Sequence, residues 1–219
     1  HTAILARSLG LAAIVGCPME ILDIPDASRV ILDGSKGKLF VEPDEALLEE
    51  YQKQLEAAKD LKQRTLARCH EPAVTKDGKR VEVVANIGNV QGAQTAIQHG
   101  AEGVGLLRTE FLYLERVTIP DEQEQYRAYR EIAEVFGKLP VVLRTSDIGG
   151  DKEIPYLNLP KEMNPFLGER GLRLCLTNPQ LFKPQLKAAL CAGEGLNLKI
   201  MFPMVTVEEE IHQAKEILN

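Results

Sequence analysis

The sequence has 219 residues, of which 44% are hydrophobic and 26% are charged, and its formal net charge is −6. This composition is typical of a globular protein with one or two domains and excludes intrinsic disorder over most of the chain. The acidic balance argues against a nucleic-acid-binding protein, because such domains carry a basic patch or stripe. No apolar run reaches the roughly 20 residues of a membrane-spanning helix. The four cysteines form no C-x-x-C pair, which argues against a zinc site or disulfide scaffold and favours a reducing, cytoplasmic location.

The first 42 residues are predicted to contain one short helix and three short strands. The helix covers residues 1–10 and stops at Gly10. Apolar runs bounded by Gly, Pro and Asp predict the strands at 12–15, 30–32 and 38–41. This piece is too short to bury a good core alone. Because the chain also begins at His1 rather than Met and ends directly after a helical pattern, we expect a fragment of a longer protein.

A long helix is predicted over residues 44–66, where apolar residues recur at steps of three and four. At about 1.5 Å per residue this helix spans roughly 34 Å. A helix of that length can hold two bodies apart.

From about residue 72 onward, strand and helix patterns alternate. The predicted strands are 81–86, 103–108, 140–144 and 198–205, and the predicted helices are 91–99, 121–136, 164–192 and 206–219. Helix ends are marked by a capping-box pattern at Asp121 and Glu124, by Gly137, and by Asn-Pro pairs at 164–165 and 178–179. Consecutive β–α units favour a parallel sheet, which suits half of a (β/α)8 barrel or a small doubly wound sheet.

Two of these strands end alike, in Arg108-Thr109 and in Arg144-Thr145. In a β/α barrel the carboxyl ends of the strands build the active site. Two guanidinium groups at one mouth would bind a phosphate or carboxylate, because each offers a planar fork of donors. The alternative is that each arginine only pairs with a nearby acid, such as Glu110 or Asp147.

Two further features could belong to the same site. Gly149 and Gly150 would let the backbone approach a ligand closely, and Lys152 would add a point charge, although the segment could equally be a surface turn. His1 stands at the start of a predicted helix, where the helix dipole favours anions and neutral imidazole. It could accept a phosphoryl group, or it could be no more than a chain terminus.

Several motifs resemble those of a known family. Residues 1–9 resemble the phosphohistidine signature of phosphoenolpyruvate-utilising enzymes, without the Gly-rich half that normally precedes the histidine. Enzyme I of the bacterial sugar phosphotransferase system is the family member whose motifs are similar to residues 81–88, 100–111, 144–152, 164–168 and 201–204. The Asp-Ile-Gly-Gly-Asp-Lys block at 147–152 separates enzyme I from pyruvate phosphate dikinase and phosphoenolpyruvate synthase, whereas Glu169-Arg170-Gly171 is closer to those relatives.

The resemblance implies an α/β fold in three parts. Residues 1–42 would be the tail of a swivelling phosphohistidine domain, and residues 43–70 a linker helix. Residues 71–219 would be the first half of a TIM-type (β/α)8 barrel that binds phosphoenolpyruvate.

The resemblance also implies a function and its residues. A phosphotransferase would move the phosphoryl group of phosphoenolpyruvate to His1 and on to the carrier protein HPr, for sugar uptake. Arg108 and Arg144 would hold the substrate, with Lys152 and Arg170 as weaker candidates.

Other parts of the family's machinery are expected outside this chain. The Mg²⁺ ligands and the cysteine proton donor would lie beyond Asn219, and the HPr-binding region would lie upstream of His1. The intact protein would be a homodimer, and this fragment is expected to be inactive alone. Two alternatives stay open: a nucleotide-using synthase or dikinase, and a non-catalytic fragment that serves assembly or regulation.

Overall fold

The computed structural model of the chain describes residue 6, residues 10–113 and 116–149, residue 157, and residues 162–218. It divides into two compact units, His1–Arg68 and Cys69–Asn219. The predicted helix at 1–10 lies almost entirely outside the described residues. Within the described ranges, no helix is long and apolar enough to cross a membrane.

The first unit contains a hairpin and a long helix. Strands β1 (Val30–Asp33) and β2 (Lys38–Val41) pair antiparallel, and helix α1 covers Glu45–Ala67. The Asp44 carboxylate caps α1 by accepting a hydrogen bond from the Leu47 N–H at 2.8 Å. These three elements confirm the sequence predictions.

The predicted strand at 12–15 is wrong. These residues have no regular secondary structure; Leu11, just before them, is 61% exposed, and Val15, the last of them, is 73% exposed. No strand in the described part of the chain pairs with this segment. None of the described residues of the first unit is buried, so an apolar run alone did not create a core here.

The second unit is built on a parallel sheet. A small hairpin of β3 (Ala73–Val74) and β4 (Arg80–Val81) comes first, turning at Gly78 with φ +85°. Four parallel strands then pair in chain order: β5 (Ala85–Ile87), β6 (Val104–Arg108), β7 (Val141–Arg144) and β8 (Leu198–Met201). The helices are α2 (Val90–Gln98), α3 (Glu122–Phe136), α4 (Leu172–Thr177), α5 (Pro179–Gly193) and α6 (Glu208–Leu218).

The hydrophobic core lies on one face of this sheet, under α2, α3 and α5. Its buried residues are Ile87, Ala93, Val104, Leu107, Tyr129, Ile132, Phe136, Val141, Leu143, Ala188, Ala189 and Ala192. Three capping predictions place these helices correctly: Asp121 and Glu124 form a capping box, Gly137 ends α3 with φ +57°, and Pro179 occupies the first turn of α5.

Several predicted boundaries are wrong. The single helix at 164–192 is two helices that begin only at Leu172, and Pro179 forces the break because it disfavours helical backbone at Asn178. The strand at 81–86 is interrupted because the Val83 backbone bonds to Glu102 instead of to a strand. The last strand stops at Met201, before Pro203 and the left-handed Met204 (φ +59°).

Candidate functional site

The two arginines of the repeated Arg-Thr pattern come together at the carboxyl edge of the parallel sheet. Arg108 and Arg144 are register partners on the neighbouring strands β6 and β7. Each follows a core residue, Leu107 or Leu143, that is fully buried on the helix-covered face. Because successive residues of a strand point to opposite faces, both arginines lie on the face away from that core.

Arg144 is held by two carboxylates. Its Nη2 donates to Glu110 Oε1 at 2.6 Å, and its Nη1 lies 3.4 Å from Asp147 Oδ2. The side chain is 19% exposed, against 6% for Glu110 and 12% for Asp147. Glu110 also accepts a hydrogen bond from the Asp147 backbone N–H at 3.1 Å, so one carboxylate orients both the arginine and the segment that follows it.

Arg170 forms the other end of this ion cluster. Its Nε and Nη2 both lie 3.1 Å from Asp147 Oδ1, and its guanidinium carbon sits 4.4 Å from the centre of the Phe166 ring. The side chain is only 3% exposed. Asp147 therefore bridges two guanidinium groups, and Arg170 has little surface left for a ligand.

Arg108 differs from both. It is exposed, and within the described part of the chain it makes no hydrogen bond or ion pair. Its five N–H donors are therefore available to an anion in solution.

Buried donors without partners among the described residues lie at the end of β7 and just after it. Among the described residues, Arg144 Nε, Thr145 Oγ1 and Ser146 Oγ are buried and find no hydrogen-bond partner. Such groups are few in native proteins, because an unsatisfied buried donor is costly. This stretch is therefore suited to a ligand oxygen atom or a bound water.

A buried polar network lies beneath the strand ends, and the sequence analysis missed it. It contains Thr109, Gln125, Tyr129 and Gln185, each no more than 1% exposed. The sequence did carry one signal of this network: Gln125 and Gln185 are polar residues on the otherwise apolar faces of their helices.

Cys175 lies close to the same segment, with its Sγ 4.0 Å from the Ser146 carbonyl oxygen. Burial raises the pKa of its thiol to about 12. Burial therefore favours the neutral thiol, which is a weaker nucleophile than a thiolate.

Two predicted site residues, His1 and Lys152, lie outside the described residues, so their geometry stays a prediction. Within the described ranges, no three His, Cys, Asp or Glu side chains form a group that could hold a metal ion. Glu110 and Asp147, the carboxylates nearest the arginines, are both engaged with guanidinium groups.

Two family models match the chain. The model described as the PEP-binding domain of PEP-utilising enzymes matches residues 62–219, and the model described as their mobile domain matches residues 1–37.

Curated relatives match the chain from end to end. A phosphoenolpyruvate-protein phosphotransferase of Bacillus sp. (strain S) is 47% identical over 218 residues, and that of Bacillus subtilis (strain 168) is 46% identical. Each match covers 100% of this chain and 38% of the relative. A multiphosphoryl transfer protein of Rhodobacter capsulatus is 46% identical over 220 residues, which are 99% of this chain and 26% of the relative.

Proposed function

Because the chain belongs to the family of phosphoenolpyruvate-utilising enzymes, we propose that it is an internal part of a phosphoenolpyruvate–protein phosphotransferase. The intact enzyme moves the phosphoryl group of phosphoenolpyruvate to a histidine and on to the carrier HPr, for sugar uptake. The observation that carries the proposal is the pair Arg108 and Arg144, in register at the carboxyl edge of a parallel sheet. The end-to-end similarity to named phosphotransferases supports it.

The proposed architecture has three parts. Residues 1–42 are the tail of a swivelling phosphohistidine domain, residues 43–70 are a linker helix, and residues 71–219 are the first half of a (β/α)8 barrel. Four parallel strands that pair in chain order, with helices between them, support the barrel assignment. The length of α1 supports the linker assignment.

The substrate carries two anionic groups, a phosphate and a carboxylate, and the site offers matching cations. Arg108 brings a guanidinium without a partner among the described residues, and Arg144 brings a pre-oriented one with a buried, unused Nε–H. Lys152 adds a point charge, and Arg170 acts as a weaker substrate contact or through Asp147. Phosphoryl transfer depends mostly on positioning and charge neutralisation, which is what these residues supply.

His1 is the proposed phosphoryl acceptor. Its imidazole nitrogen attacks phosphorus, the bond between phosphorus and the enolate oxygen breaks, and enolpyruvate leaves with the electron pair. The neutral Cys175 thiol takes no part, because it is buried.

The described carboxylates do not fit a Mg²⁺ site, because Glu110 and Asp147 are held by guanidinium groups. As the resemblance to the family implies, we propose that the Mg²⁺ of the intact enzyme is held by ligands outside this chain. HPr binding and dimerisation are likewise assigned to the intact, cytoplasmic protein, and the fragment alone is proposed to be inactive.

The test uses the full-length protein that contains this chain. Incubation with phosphoenolpyruvate carrying a radioactive phosphate should give an acid-labile phosphoprotein that passes its label to HPr. His1→Ala should abolish labelling, whereas His70→Ala, at an exposed histidine, should leave it intact. Undiminished labelling of His1→Ala would place the acceptor elsewhere. Labelling that requires a nucleotide would instead indicate a synthase or dikinase.

A further inference from the structure

The side-chain amide of Gln185 is buried on the apolar face of a helix. It lies on α5, is 1% exposed, and has the buried Phe182 and Leu186 as near neighbours on the helix. A buried amide is retained only where its donors and its acceptor are hydrogen-bonded.

Both ends of this amide are used at the strand ends. Its Oε1 accepts the Ser146 backbone N–H at 2.9 Å, two residues past the end of β7. Its Nε2 lies 3.3 Å from Thr109 Oγ1, one residue past the end of β6, and 3.1 Å from the Tyr129 hydroxyl. One side chain on α5 therefore contacts the segments that follow both arginines.

The chain of hydrogen bonds continues from β6 to β7. Thr109 Oγ1, which accepts from Gln185, donates to the Arg144 carbonyl oxygen at 2.9 Å. This bond joins the segment after β6 directly to the last residue of β7, beside the register pair of Arg108 and Arg144.

We propose that Gln185 is a positioning residue for substrate binding: it sets the spacing between Arg108 and Arg144 by holding Thr109 and Ser146. This role rests on the proposed function, in which the two guanidinium groups grip one substrate. A displacement of about 1 Å at such a site can lower the rate on the order of a hundredfold. Gln185 itself touches neither guanidinium.

The test compares two buried glutamines in the full-length protein. Gln185→Met keeps the length of the side chain and removes the hydrogen bonds. The matched control is Gln125→Met, on α3. Gln125 is also 1% exposed, accepts from the hydroxyls of Tyr113 and Tyr129, and donates to the Pro120 carbonyl, but it bonds to neither strand-end segment. Both variants should lower the melting temperature.

Only Gln185→Met should change substrate handling. Its KM for phosphoenolpyruvate should rise about tenfold or more, measured well below the melting temperature, while Gln125→Met should stay within about twofold of wild type. Equal KM values for the two variants would overturn the proposal, because a merely structural role would move both alike.

Thr109→Val provides a second route to the same connection, and it decides the question if Gln185→Met does not fold. It removes the donor to the Arg144 carbonyl without altering α5, and it should raise KM as Gln185→Met does. The double variant should be no worse than the stronger single one, because both break one connection. If the wild type uses phosphoenolpyruvate but the KM of Thr109→Val is unchanged, the positioning role of Gln185 is refuted and the proposed function stands. A wild type that does not use phosphoenolpyruvate refutes the proposed function and this role with it.

Discussion

Strands β6 and β7 end in the same two residues, arginine and threonine, yet the two arginines lie in different surroundings. Arg144 donates to Glu110 and lies against Asp147. Arg108 is exposed and unpaired within the described ranges. The acid that follows β6, Glu110, pairs with the arginine of β7 rather than with the one that precedes it in the chain. Ion pairing at this edge is therefore decided both across strands, through Glu110, and along the sequence, through Asp147.

The two arginines therefore differ in what they offer an anion: Arg144 offers an oriented guanidinium, and Arg108 offers a positive charge that no described acid compensates. Counted over its described members, the cluster of Glu110, Arg144, Asp147 and Arg170 has two positive and two negative groups, so their formal charges sum to zero. It fixes the direction of Arg144 but adds no net attraction for an anion. Among the described residues at this edge, Arg108 supplies the uncompensated positive charge. The two ends should therefore respond differently to the same substitution.

Arg144→Ala should have the largest effect, because it removes both the proposed substrate contact and the guanidinium that pairs with Glu110 and Asp147. Leaving two largely buried carboxylates without this partner should lower the free energy of unfolding by about 2–4 kcal/mol. Loss of a charged hydrogen bond to substrate, worth roughly 1.5–3 kcal/mol, should lower kcat/KM on the order of ten- to a few-hundredfold. Denaturant unfolding and steady-state kinetics of the full-length protein measure the two effects. A lower stability with unchanged kcat/KM would reject a substrate role for Arg144.

Glu110→Gln is the control for that variant, because it tests which arginine the carboxylate serves. A double-mutant cycle of Glu110 with Arg144 should give a coupling energy of about 1–3 kcal/mol in stability. The cycle of Glu110 with Arg108 should give less than about 0.5 kcal/mol. Equal couplings would show that the two strand ends are equivalent.

Arg108→Ala should affect binding alone. The side chain is exposed and has no partner in the described part of the chain, so the free energy of unfolding should change by less than about 0.5 kcal/mol. The loss in kcat/KM should again be on the order of ten- to a few-hundredfold, because the proposed charged contact to substrate is of the same kind. A destabilised Arg108→Ala protein, or one with wild-type kinetics, would contradict this prediction.

The sequence predicts a feature well when the residues that decide it are close together along the chain, and poorly when they are far apart. The capping box of Asp121 and Glu124 and the helix start at Pro179 are local, and their residue types predicted them, although the break between α4 and α5 was not predicted. The repeated β–α patterns predicted that β5 to β8 would form a parallel sheet, but they left its strand order open between a barrel and a doubly wound sheet. The bonds from Gln185 reach residues 39 and 76 positions away, and no local pattern indicates them.

The same limit applies to the arginines. The repeated Arg-Thr pattern predicted that two guanidinium groups would share one edge of the sheet, and they do. The sequence also left open that Glu110 or Asp147 would pair with an arginine, but it could not decide which one. Both acids lie against Arg144: Glu110 because the chain after β6 approaches the end of β7, and Asp147 because it follows Arg144 by three residues.

Arg→Lys substitutions should give the smallest effects on stability and kcat/KM, and they should distinguish Arg108 from Arg144 most finely. Lysine keeps the charge but cannot donate from two sides of a planar group. At position 144 it cannot bridge Glu110 and Asp147 as the guanidinium does, so part of the loss in stability and in kcat/KM should remain. At position 108 no described partner has to be kept, so kcat/KM should fall by less than about tenfold and stability should not change measurably. Thermal unfolding and kinetics on Arg108→Lys and Arg144→Lys check the order. A larger loss of stability in Arg108→Lys than in Arg144→Lys would contradict the view that Arg144 is the arginine held by carboxylates and Arg108 the one without a described partner.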